Sequence, residues 1–135
     1  MTHPLSDVHH VRLPVSDLER SLRWYVEIFG FVKDFPFRHD GEIVGWALRQ
    51  TPGHVNLTLI QDAEQALKSA GFPYFSLTVP DEAALRRLAA TLDERGIAHA
   101  GIAPALAGFK LLDVCDPDGH RIGFYMSGER TQVPG

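Results

Sequence analysis

Side chains that could bind or transform a ligand alternate with apolar residues along four short segments of this sequence. The set lying between the apolar residues carries imidazole, guanidinium, amide and phenol groups, at His10, Arg12, Asn56, Tyr74, Arg121 and Tyr125. Residues two apart on a strand share a face, so a sheet built from these segments would have one apolar and one polar face. Guanidinium groups bind anions, imidazole is a general base near neutral pH, and aromatic rings stack on flat ligands. A sheet curled around this face would form a ligand-binding cleft, whereas a flat one would leave it solvated.

The segments belong to a unit that occurs twice in the chain. The stretch 10–17 reappears as 74–81, and each copy ends in an aspartate placed to cap a following helix. Each helix is followed by a glycine and an apolar residue, at 30–31 and 96–97. Two copies of one unit predict an approximate two-fold symmetry, with a cleft between the copies as the place for a function.

Apolar periodicity and turn residues predict the remaining elements. Strands are expected at 8–15, 32–38, 43–50, 54–61, 74–79, 98–103, 109–115 and 120–126, and helices at 18–28, 62–70 and 82–95. Turns are expected at 39–41, 51–53 and 116–119. The whole chain, 1–135, is predicted to be one domain with a first module at 8–61, a linker at 62–72, a second module at 73–127 and a tail at 128–135.

Composition limits the class of protein. The chain has 135 residues, of which 44% are hydrophobic and 22% charged, values typical of a globular domain. A net charge of −4 without a basic run argues against a nucleic-acid partner. The N-terminus has no apolar leader and no window is apolar enough to span a membrane, so we expect a cytoplasmic protein without a membrane partner. The apolar run around Cys115 favours a thiol packed in the core.

Two sequence runs resemble the vicinal oxygen chelate superfamily, which includes glyoxalase I, fosfomycin-resistance enzymes, extradiol dioxygenases and bleomycin-resistance proteins. They are HVRLPVSDLERS, which begins at His10, and DPDGHR, which begins at Asp116. The resemblance implies an α+β fold in which paired βαβββ modules form a mixed eight-stranded sheet curled around a cleft. It also implies a homodimer.

The resemblance further implies a divalent metal held by the first and last strands of each module. The matching positions here are His10, Asn56, Tyr74 and Gly123, of which only His10 keeps the usual ligand. One imidazole and a neutral amide supply neither the donors nor the negative charge of a catalytic metal site. We therefore expect no metal or other cofactor, with a metal on displaced ligands as the less favoured alternative. Of the other histidines, we expect His9 to point away from His10, His54 to lie one pleat from Asn56, and His120 to be on the surface.

Two classes of function fit these residues. The first is a protein that binds a small aromatic or anionic molecule, as bleomycin-resistance proteins bind a drug without needing a metal. Its expected ligand-binding residues are His10, Arg12, Trp46, Asn56, Tyr74, Phe109, Arg121 and Tyr125, although Trp46 is as readily a core residue and Phe109 a cover for the rim. The second is a glyoxalase- or dioxygenase-like enzyme, a lyase, isomerase or ring-cleaving enzyme. It would use displaced metal ligands, or His10 as general base and Tyr74 as acid without a metal. A third alternative is an interaction domain with a vestigial cleft.

Overall fold

The computed structural model describes residues 3–50 and 55–127, which form two compact units divided between residues 68 and 69. The strands and first helix of the first unit are β1 (Val11–Val15), α1 (Leu18–Phe29), β2 (Val32–His39), β3 (Glu42–Arg49) and β4 (Asn56–Gln61), and the short helix α2 (Ala63–Ser69) ends at the division. The second contains β5 (Phe75–Val79), α3 (Glu82–Glu94), β6 (Ile102–Pro104), β7 (Phe109–Cys115) and β8 (Arg121–Met126). Each unit therefore has the order βαβββ.

The residues at the two ends of α1, Asp17 and Gly30, determine where the helix begins and ends. The carboxylate of Asp17 accepts a hydrogen bond from the backbone N–H of Arg20 at 3.1 Å, which satisfies a donor that the first turn leaves free. Gly30 follows the last turn with φ of 73°, a conformation that glycine adopts without steric cost. Between these ends, Leu22 and Tyr25 are buried. The helix packs its apolar stripe against β3 and β4.

The first sheet has the strand order β1-β4-β3-β2, with β1 parallel to β4 and the other pairs antiparallel. Leu13 pairs with Leu59, and both side chains are almost fully buried on the face toward α1. Burial of one such leucine contributes about 1.5–3 kcal/mol relative to exposure. This row of leucines fixes which side chains point to the opposite face.

The second unit repeats this construction. Its sheet has the order β5-β8-β7-β6, and only the β5–β8 pair is parallel. Asp81 caps α3 by accepting from the N–H of Ala84 at 2.8 Å. Leu85 on α3 is fully buried, as are Leu111 and Ile122 on the sheet. The repeat seen in the sequence is therefore a repeat of structure.

The predicted α+β fold with paired βαβββ modules is confirmed. The eight strands within the described residues form two four-stranded sheets, instead of the single eight-stranded sheet that the resemblance implied. The first strand begins at Val11 instead of residue 8, and β6 spans only Ile102–Pro104 where a strand at 98–103 was predicted. The predicted turn at 51–53, His54 and the predicted tail at 128–135 lie outside the described residues. Among the described helices, none is long and apolar enough to cross a membrane.

Two predictions about the last hairpin are wrong. His120 was expected on the surface but is buried, with 1% of its surface exposed. The buried Asp116 folds the turn inward, since its carboxylate accepts from the backbone N–H groups of Asp118 and His120, each at 2.9 Å. Cys115, expected in the core, is only half-buried.

Candidate functional site

A pocket of about 520 Å³ lies on the face of the first sheet that points away from α1. Its volume is within the range of about 300–1,000 Å³ that small-molecule sites occupy. All four strands and the residues before β1 contribute to it. The lining residues are His9, His10, Arg12, Asp34, Phe35, Phe37, Ala47, Leu48, Asn56, Leu57 and Thr58.

The register of the sheet explains the shape of this pocket. Arg12 pairs with Thr58, Thr58 with Ala47, and Ala47 with Phe35, so these four residues form one row across the sheet. The two central residues are small and buried, whereas Arg12 and Phe35 at the ends are long and exposed. A short centre between long ends produces a concavity with a cationic end and an aromatic end.

Two phenylalanines form the aromatic end. The ring centroids of Phe35 and Phe37 are 5.3 Å apart at an angle of 60°. Gly45, the strand partner of Phe37, has no side chain; a Cβ there would lie 2.6 Å from Ile60 Cδ1 and 2.7 Å from the carbonyl oxygen of Leu59. The glycine therefore allows Phe37 and Ile60 to pack closely over β3.

The guanidinium of Arg12 reaches toward these rings. Its Cζ atom lies 5.9 Å from the centroid of the Phe37 ring, within the range of a cation–π contact. Among the described residues, no carboxylate forms an ion pair with Arg12. The guanidinium is therefore held near the aromatic end, with its N–H groups available to a ligand.

His9 and His10 lie together at the edge of the pocket. Their Nδ1 atoms are 2.9 Å apart, so one imidazole donates a hydrogen bond to the other. The amide nitrogen of Asn56 donates to the backbone carbonyl of His9 at 3.3 Å, which ties this segment to β4. The prediction that His9 points away from His10 is therefore wrong. Both residues precede β1, so strand alternation does not separate them.

A β-bulge in β2 brings Asp34 into the pocket, a residue that the sequence did not single out. The pairing of β2 with β3 shifts between Lys33 and Phe35, which leaves Asp34 as an extra residue. An extra residue interrupts the alternation and re-aims side chains. Lys33 packs over Trp46 at 4.7 Å, on the other side of the sheet, while Asp34 and Phe35 both line the pocket.

Two predicted ligand-binding aromatics lie on the helix-facing sides of the sheets. Trp46 pairs with Leu59, in the row that faces α1. In the second unit, Phe109 lies two residues before the buried Leu111 on β7 and so shares its face, and the guanidinium of Arg86 on α3 is 6.0 Å from the Phe109 ring. The structure therefore separates both residues from the polar faces with which the sequence grouped them.

The other predicted residues of the second unit are exposed. Tyr125 pairs with Thr78, on the face opposite the half-buried Leu77 and the buried Phe124. Arg121 lies on the same strand, with its Nη1 atom 3.7 Å from the carboxylate of Asp113. Tyr74 precedes β5 and contacts Phe72, with ring centroids 4.8 Å apart. Of the predicted residues, His10, Arg12 and Asn56 are those that the structure brings together in the pocket of the first unit.

Comparison with known families identifies this arrangement of two βαβββ units. The family model for the Glyoxalase/Bleomycin resistance protein/Dioxygenase superfamily matches residues 7–124. The chain belongs to this superfamily. A comparison with curated proteins gave no match.

Solved structures of the superfamily share the fold. A glyoxylase/bleomycin resistance protein/dioxygenase domain from Frankia sp. EAN1pec has a TM-score of 0.75 and 24% identity, over 93% of this chain and 95% of that one. TnmS3, an antibiotic binding protein from Streptomyces sp. CB03234, has a TM-score of 0.70 and 24% identity, over 93% and 98%. Lactoylglutathione lyase from Agrobacterium tumefaciens has a TM-score of 0.69 and 17% identity, over 93% and 96%. At these identities the likeness concerns the fold.

The donors at the superfamily's metal positions do not fit a divalent ion. His10 is hydrogen-bonded to His9, and Asn56 brings no charge. At Gly123 a Cβ would lie 2.7 Å from Ser76 Oγ and 3.0 Å from Leu112 Cδ2, so a carboxylate side chain would require its neighbours to move. Within residues 3–50 and 55–127, no three His, Cys, Asp or Glu side chains are grouped to hold a metal. The expectation that the protein uses no metal or other cofactor stays a prediction.

Proposed function

We propose that this protein binds a small molecule carrying an aromatic group and an anionic group in the pocket of its first unit. The observation that carries the proposal is the row from Arg12 to Phe35, in which small residues leave a concavity between a guanidinium and a pair of rings. An aromatic group would stack against Phe35 or Phe37 above Ala47 and Thr58. Its anionic group would accept hydrogen bonds from Arg12.

The histidines and Asn56 extend the polar end of the pocket. Either imidazole can donate to an anion through a ring N–H, depending on its tautomer. The Asn56 amide already donates to His9, so it fixes the position of the histidine segment. The fold likeness to an antibiotic binding protein is consistent with a binding role.

Two related dyes test this proposal. Anilinonaphthalene sulfonate carries an aromatic body and an anion, whereas N-phenylnaphthylamine has a similar body without the charge. We expect saturable binding of the sulfonate with one site per chain, and its loss when Ala47→Trp fills the floor of the pocket. Ala83→Trp, at an exposed position on α3, is the matched control and should bind normally.

The outcome that would overturn the proposal is equal binding of the sulfonate dye by the native protein and a folded Ala47→Trp variant. Circular dichroism and a thermal melt establish that the variant is folded. If Ala47→Trp does not fold, Ala47→Leu replaces it, because its smaller side chain still projects from the floor of the pocket. Equal sulfonate binding by the native protein and a folded Ala47→Leu variant would then overturn the proposal.

An acid–base enzyme is the second candidate function, favoured by the contact between His9 and His10. A hydrogen bond to one ring nitrogen fixes the orientation of an imidazole and thereby prepares the other nitrogen for proton transfer. In a glyoxalase- or dioxygenase-like reaction, His10 would act as the base. His10→Gln should then abolish turnover of a substrate that the native protein converts, with product formation followed by mass spectrometry, and unchanged turnover would contradict this second candidate.

A further inference from the structure

The pocket has charge of both signs. The positive charge is that of Arg12, which comes from β1, and the negative charge is that of Asp34, which comes from β2. β1 and β2 are the two edge strands of the first sheet. Three strand spacings separate them, which corresponds to about 14 Å between their backbones. The Arg12 guanidinium reaches from β1 to within 5.9 Å of the Phe37 ring on β2, whereas Asp34 projects from β2 itself, and among the described residues the two groups form no ion pair.

The side chain of Asp34 points into the pocket only because of the β-bulge in β2. In a regular strand it would lie on the opposite face from Phe35, which pairs with Ala47 on the pocket side. Bulges are enriched beside functional sites because they redirect a side chain. Among the described residues no cation forms an ion pair with Asp34, although Lys33 is its neighbour in the chain. Lys33 instead packs over Trp46 on the other side.

From this arrangement we propose that the ligand is dipolar, with an ammonium or other amine cation that Asp34 recognises while Arg12 recognises its anionic group. This inference rests on the proposed function and adds the second charge. An anion at Arg12 and a cation at Asp34 would together orient an aromatic ligand over Ala47 and Thr58. Because like charges repel, the carboxylate of Asp34 would also disfavour a ligand with two anionic groups.

A matched pair of biphenyl acids isolates the contribution of Asp34. Both carry a carboxylate at one end; the other end carries an aminomethyl group in one compound and a hydroxymethyl group in the other. The assay is displacement of bound anilinonaphthalene sulfonate. We expect the amine to bind about threefold more tightly than the alcohol, the scale of an exposed ion pair. This ratio should fall toward one as salt is added.

In Asp34→Asn, the amine and the alcohol should bind with about equal affinity, so that the ratio of their affinities is about one. The affinity for the alcohol should be unchanged or slightly higher. Glu94→Gln, which removes an exposed carboxylate at the end of α3, is the control and should keep the native ratio. A native ratio of one, or an amine preference that survives in Asp34→Asn, would overturn the inference while leaving the proposed function intact. Failure of both acids to displace the dye would count against both proposals.

Discussion

Replacing Arg12 by glutamine should remove the preference of the pocket for anions. The guanidinium is exposed, so its attraction to an anion is screened, and an exposed ion pair contributes about 0.2–1 kcal/mol. A charge-assisted hydrogen bond in a site that the ligand covers contributes about 1.5–3 kcal/mol. The Arg12 site lies between these limits, because its surroundings are open until a ligand stacks on the rings.

We therefore expect Arg12→Gln to weaken binding of anilinonaphthalene sulfonate by about 1–2 kcal/mol, a factor of roughly 5 to 30. Binding of the uncharged N-phenylnaphthylamine should change little, because the rings of Phe35 and Phe37 remain. The loss of the Arg12–Phe37 contact should lower the free energy of unfolding by only about 0.5–1 kcal/mol. The native and variant proteins should therefore both be folded at room temperature.

Fluorescence titration with both dyes, at low and high salt, measures this effect. Arg23→Gln is the matched control, since Arg23 is an exposed arginine on α1 in the same unit. The reasoning is refuted if Arg12→Gln weakens both dyes equally, since that result would indicate a change in pocket shape. It is also refuted if Arg12→Gln and Arg23→Gln have equal effects on the sulfonate dye, which would indicate only a long-range charge effect.

Four further predictions concern stability, metal content and assembly. Gly45→Ala should lower the free energy of unfolding by about 1–3 kcal/mol in a denaturant titration, because its Cβ would press on Ile60 and on the fixed carbonyl of Leu59; an unchanged midpoint would contradict the packing described. Asp81→Ala should cost about 1 kcal/mol in the same assay through loss of the α3 cap, whereas Asp81→Asn, which also caps helices, should cost less. Elemental analysis of protein purified without chelator should find no stoichiometric divalent ion, and one tightly bound equivalent would contradict the prediction. Light scattering should give the mass of a dimer, and a monomer at micromolar concentration would count against the homodimer that the family resemblance implies.

Local signals in the sequence were sufficient for the elements of the fold. Asp17 and Asp81 cap their helices as predicted, because an N-cap requires only a side-chain oxygen and the free N–H groups of the next turn. The alternation along β1 and β4 correctly placed Leu13 and Leu59 on the core face. Repetition of these patterns in the second half made the paired units predictable.

The composition of the pocket was only partly predictable. His10, Arg12 and Asn56 were correctly grouped on one side of the first sheet, since their apolar neighbours mark the opposite face. In β3 both alternating sets are apolar, so the sequence could not decide on which face Trp46 lies. Its pairing with Leu59 decides this, and that pairing is a contact between distant parts of the chain.

By itself the sequence determined the order of the elements, the two-fold repeat and the polar residues of β1 and β4, because caps and alternation depend on neighbouring residues alone. Only the tertiary structure decided that His9 joins His10, that Trp46 faces α1 and that Asp34 enters the pocket. The physical reason is that alternation assigns a face only within an unbroken strand. Where a strand begins late or gains an extra residue, pairing with the neighbouring strand decides which way each side chain points.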